Sequence, residues 1–179
     1  MKKIFLLILI VIFGVWPQMP CVAYQTCSII FPYSTWKSVL YKKNKKEAIV
    51  QFVPVSQSLN SYTETVVFHS YKGNSRSSSL MLGYILRKER LHFPKMKRVY
   101  LKNKEDDSMA YWCNENQSCQ IARVARSFDG IISMHYITKD VKAFEQNKNF
   151  WIQALANTKI YYSHYRWDRI MNRSATFDL

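Results

Sequence analysis

The chain has 179 residues, 48% hydrophobic and 15% aromatic, with only 4 Gly and 5 Pro. This excludes a disordered, low-complexity or fibrous protein and leaves room for one domain or two very small ones. Its 26 Lys and Arg against 12 Asp and Glu give a formal net charge of +14, an excess that favours anionic partners and carries no information about the fold. A soluble protein that is simply rich in lysine would carry the same charge.

In chain order, the first element is a secretory signal over residues 1–23. Lys2 and Lys3 form a basic start, Ile4 to Trp16 runs without a charge, and Pro17 and Pro20 break any helix beyond it. The uncharged run is short for a membrane span of ~20 residues. Cys21-Val22-Ala23 offers small residues for cleavage after Ala23. Residues 24–179 then form a single α+β domain with 24 basic and 12 acidic side chains, a net charge of +12. Two alternatives remain: Cys21 as a lipidated cysteine, although Gln18-Met19-Pro20 is a poor approach to one, and an uncut anchor that leaves the domain facing outward. The expected location is the periplasm or the extracellular space, with attachment to a membrane if the signal is retained. No stable transmembrane span is expected in the mature part.

After a turn near Pro32, Trp36 to Tyr41 reads as a strand, and Ala48 to Val53 as another ended by Pro54. Tyr62 to Tyr71 alternates, with Glu64, Val66, Phe68 and Ser70 on one face and Thr65, Val67, His69 and Tyr71 on the other. Ser78 or Ser79 is the expected cap of a first helix, in which Leu80, Met81, Tyr84, Ile85 and Lys88 fall at helical spacing up to Pro94. Strands are expected at Val99–Lys102, Met109–Cys113, Gln120–Arg126 and Ile131–Thr138, the last two joined by a hairpin at Asp129-Gly130. A second helix spans Val141 to Asn157, capped by Asp140, with Phe144, Asn147, Trp151, Ala154, Leu155 and Thr158 on one stripe. An aromatic and basic tail follows. Hairpins and runs of strands predict an antiparallel sheet of about six strands with two main helices packed on one side.

Cys113 and Cys119 enclose the polar stretch 114–118 and are flanked by apolar runs, so they read as a hairpin neck closed by a disulfide in an oxidising compartment. Their spacing is not a common zinc spacing. Cys27 is left odd: buried, paired with another chain, or bridged to Cys21 if the signal stays.

The segment Gln51 to Val67, in which Phe52-Val53-Pro54 leads through a polar loop to Tyr62-Thr63 and a second strand, resembles a pattern in small exported bacterial proteins of uncharacterised function. Ile121 to Leu155, with its hairpin and Trp-bearing helix, is similar as well. The resemblance implies a PsbP/Mog1-like α+β sheet and no activity.

No motif identifies a reaction, a cofactor or a metal. His69, His92, His135 and His164 fall at no ligand spacing. His135 reads as a solvated strand histidine, and Glu105-Asp106-Asp107 as a solvated acidic turn or a cation contact. Two basic stretches are candidate surfaces for an anionic ligand. One is the tail, through Arg166, Trp167, Arg169 and Arg173, unless its Tyr161, Tyr165 and Trp167 only dock it on the sheet. The other follows the first helix, through Arg87, Lys88 and Arg90. The expected function is a non-enzymatic, exported binding protein with anionic lipid, glycan or acidic protein as partner; export argues against nucleic acid. The alternatives are a secreted hydrolase or a structural subunit of an envelope complex.

Overall fold

The computed structural model describes residues 24–33, 35–114, 118–163, 168–171 and 174–179. The expected signal, and with it the fate of Cys21, lies outside them. The described residues form eleven strands and two helices. The strands are β1 (Tyr24–Ile30), β2 (Trp36–Lys43), β3 (Glu47–Pro54), β4 (Glu64–Lys72), β5 (Lys97–Asn103), β6 (Asp107–Asn114), β7 (Ser118–Ser127), β8 (Gly130–Thr138), β9 (Lys159–Ser163), β10 (Asp168–Met171) and β11 (Ser174–Asp178). The helices are α1 (Ser78–His92) and α2 (Val141–Ala156).

Two antiparallel sheets result, one of seven strands in the order β2-β3-β4-β8-β7-β6-β5 and one of four in the order β10-β11-β1-β9. The expected sheet of about six strands with both helices on one side is therefore overturned. The sheet is larger, a second sheet exists, and the helices lie on opposite faces. The reason is in the strand residues. Along β7, Cys119, Ile121 and Ala125 join one core cluster, which includes Phe144, Trp151 and Leu155 of α2. The intervening Ala122 and Val124 join another, with Met81, Leu82 and Leu86 of α1. A strand that is apolar on both faces needs cover on both, so α1 takes one face and α2 the other.

The four-stranded sheet shares the α2 face. Its Cys27, Ile29, Ala175 and Phe177 are buried in the same cluster as Val50, Phe52, Val66 and Phe68 of β3 and β4. Phe177 meets Phe52 and Phe68 with ring centroids 5.1 and 4.7 Å apart. Between α2 and the seven-stranded sheet, Trp151 packs edge-on against Trp36 of β2 at 5.3 Å and stacks on Tyr136 of β8 at 4.0 Å.

The helix caps follow from local chemistry. Asp140 accepts from Ala143 N–H at 2.9 Å and opens α2, as expected. The cap of α1 is Ser77, one residue earlier than expected, whose Oγ accepts from Leu80 N–H. That places Met81, Leu82 and Leu86 inward, while Leu80 and Tyr84 are exposed. The Asp129-Gly130 turn joins β7 to β8. Gly130 has φ +148°, and a Cβ there would run into the carbonyl oxygen of Tyr71. The Cys113–Cys119 disulfide is present and links directly opposed residues of β6 and β7. Cys27 is fully buried and unbridged, and burial pushes its thiol far above the usual range. No helix among the described residues is long and apolar enough to cross a membrane.

Candidate functional site

Glu64 opens β4 on the face that meets α2, in register with Thr138 at the end of β8. Its Oε2 accepts from Tyr33 Oη at 2.7 Å and from Tyr136 Oη at 3.0 Å. Trp151 Nε1 donates to Tyr33 Oη at 2.8 Å. Each phenol has a single proton, and both protons are spent on the carboxylate, so the 3.3 Å contact between the two phenol oxygens is an approach rather than a third bond. Tyr136 and Trp151 are fully buried. Burial pushes the Tyr33 phenol up to about 12, with Glu64 adding to the rise against the approach of Tyr136 and the bond from Trp151. It pushes Tyr136 higher still, with Tyr33 and Glu64 beside it contributing in the same direction. Both phenols thus stay protonated as donors, and the carboxylate is held in one orientation.

Above this network opens a cavity of about 320 Å³, lined by Tyr33, Thr63, Glu64 and Thr138 and by Lys139, Asp140, Ala143 and Asn147 at the start of α2. The lining holds carboxylates, hydroxyls, an amide and an ammonium, but no histidine, cysteine or serine. Its side chains can both donate and accept hydrogen bonds.

The second candidate is the basic stretch after α1. Arg87, Lys88 and Arg90 are exposed on the last turns of α1. The chain then turns through 93–96 into β5, an edge strand of the seven-stranded sheet in which every residue is exposed. Residues 87–102 contain seven Lys and Arg and one acid, Glu89. Among them stand Leu91, 78% exposed, and Tyr100, 46% exposed, with the Arg98 guanidinium 5.7 Å from the Tyr100 ring centre.

The tail is rebuilt by the structure. It is not an appendage: β9 pairs with β1, and β10 with β11, inside the second sheet. Arg166, Trp167, Tyr165 and Arg173 lie outside the described residues, and Arg169 is placed only as a backbone position in β10. Tyr161 is partly exposed on β9.

His135 differs from its expected solvated state. It is half-buried beside Trp112, and burial, reinforced by the nearby His69, pushes its pKa down to about 4. His69 instead bonds Glu47 at 2.8 Å and stacks on Tyr71 at 3.9 Å. Of the acidic turn, Asp107 is neither solvated nor a cation site. Arg123 binds it through Nε at 3.0 Å and Nη2 at 3.2 Å, and Lys102 also reaches it. Burial works to raise its pKa, but those two cations outweigh burial and hold it below the ordinary value. Arg123 Nη1 also donates to the carbonyls of Leu155 and Thr158, which satisfies the C-terminal end of α2. Sequence reading missed Arg123, Tyr33 and Tyr136. The one available signal was Arg123 itself, a charge amid the apolar strand β7. No group of His, Cys, Asp and Glu among the described residues is arranged to hold a metal ion.

No family model and no curated protein matches this chain.

Proposed function

We propose that the protein is an exported, non-enzymatic binding protein that sits against an anionic lipid surface through the end of α1 and strand β5. The observation that carries this reading is the fully exposed β5, whose Lys97, Arg98 and Tyr100 continue the run of Arg87, Lys88 and Arg90. Cations interleaved with exposed Leu91, Val99, Tyr100 and Leu101 suit a lipid interface, where ammonium and guanidinium groups meet phosphates and apolar side chains enter the head-group layer. Export is supported by the Cys113–Cys119 bridge, which persists in an oxidising compartment.

The test is sedimentation with vesicles. Wild-type protein is expected to bind vesicles containing phosphatidylglycerol, and to bind less as salt rises. It is expected not to bind pure phosphatidylcholine. Each basic residue near such a surface contributes about 1 kcal/mol. The triple variant Lys88→Gln, Lys97→Gln, Arg98→Gln should therefore lose about 3 kcal/mol, roughly a hundredfold in affinity. Equal binding by the variant, or no binding by the wild type, sinks the lipid reading. Capture by an anionic glycan or an acidic protein, without vesicle binding, would move the proposal to that partner.

A further inference from the structure

The cavity over Glu64 belongs to a different part of the molecule from the basic stretch, and the lipid reading leaves it unused. Its volume of about 320 Å³ is at the small end of ligand pockets. Glu64 is half-buried in its lining. What the bonds from Tyr33 and Tyr136 provide is a carboxylate fixed in direction. Both fall on Oε2, so Oε1 takes none of them. Asp140 is arranged alike, with Oδ1 engaged by Ala143 N–H at the start of α2.

The lining also decides the charge of the guest. Glu64 and Asp140 are offset by the Lys139 ammonium, which lies 4.6 Å from the Tyr62 ring centre, and by the positive end of the 16-residue helix α2. Neither a cation nor an anion is singled out. Acceptors on Glu64 and Asp140 instead share the lining with the donor amide of Asn147 and the hydroxyls of Thr63 and Thr138. Those hydroxyls already accept, from Gln57 Nε2 and Asp140 N–H respectively, and so have their protons to donate. A group that both donates and accepts, repeated on adjacent carbons, meets such a lining. We propose that this cavity binds a neutral polyhydroxylated ligand of the size of one sugar residue, its hydroxyls donating to Glu64 and Asp140 and accepting from Asn147.

The experiment is a backbone-amide NMR titration of the protein with glucose, galactose and N-acetylglucosamine, and with inorganic phosphate and methylammonium as charged probes. At least one neutral probe is expected to shift the amides of Thr63, Glu64, Lys139 and Asn147 to saturation. Two variants report on the site. Ala143→Leu fills the cavity from α2 and takes no part in the Glu64 hydrogen bonds; it should abolish saturation while the melting temperature holds. Glu64→Gln should weaken binding by about tenfold. The proposal is overturned if no neutral probe saturates those amides, if phosphate or methylammonium saturates them instead, or if Ala143→Leu binds as the wild type does.

Discussion

His135 shows how far a single side chain departs from what its strand neighbours suggest. It lies on the face of β8 opposite Met134 and Tyr136, which alternation alone would assign to solvent, yet it is half-buried beside Trp112. Folded, it titrates at about 4; unfolded, a histidine titrates near 6.5. Between those values the unfolded chain binds more protons than the folded one. The stability tied to His135 is therefore whole above pH 6.5 and is lost as pH falls toward about 4, with a ceiling of about 3 kcal/mol. Urea unfolding from neutral pH down to the folded value should show this loss in the wild type and a shallower one in His135→Phe. Parallel profiles would mean that His135 takes up its proton over the same pH range folded and unfolded.

Among the elements, those with local signatures were legible. Strand β4 has clean alternation, α2 a full apolar stripe and a capping Asp140, and the β6–β7 hairpin a cysteine at each neck position. Strand β1 was not, because Gln25 and Thr26 are buried polar residues and break the pattern. Thr26 Oγ1 donates to Asp178 Oδ1 at 2.9 Å, a partner 152 residues away, and no local window contains that fact. Strands β9 to β11 failed for the same reason: their partners are each other and β1, at the far end of the chain. The candidate cavity was equally hidden, since Tyr33, Glu64, Tyr136 and Trp151 meet only through tertiary packing. For the hairpin, the seven-residue ring closed by the disulfide limits the unfolded chain by about 2 to 2.5 kcal/mol. Replacing Cys113 and Cys119 with alanine should lower stability by that amount. Strands β6 and β7 should stay paired, since α1 and α2 still cover β7 on either face. A lower urea midpoint with an unchanged slope would be the signature.

At the scale of the molecule, the two sheets are joined by one apolar cluster rather than by a linker. Phe177 of the four-stranded sheet rests on Phe52 and Phe68 of the seven-stranded one, and Phe31, just after β1, stacks on Trp36 of β2 at 5.0 Å. Neither sheet keeps its inner face covered if the other leaves. Unfolding should then be one transition: near-ultraviolet signals from Trp36 and Trp151 in that cluster and far-ultraviolet signals from the strands should change together. Phe177→Ala removes an aromatic side chain at the contact and should cost about 3 to 5 kcal/mol. That loss should appear equally in both signals, because the cavity it opens lies between the layers. A variant in which the far-ultraviolet signal falls in two steps would show that the four-stranded sheet detaches first. The Glu64 network would feel that loss through Tyr33, which lies in the short segment joining β1 to β2.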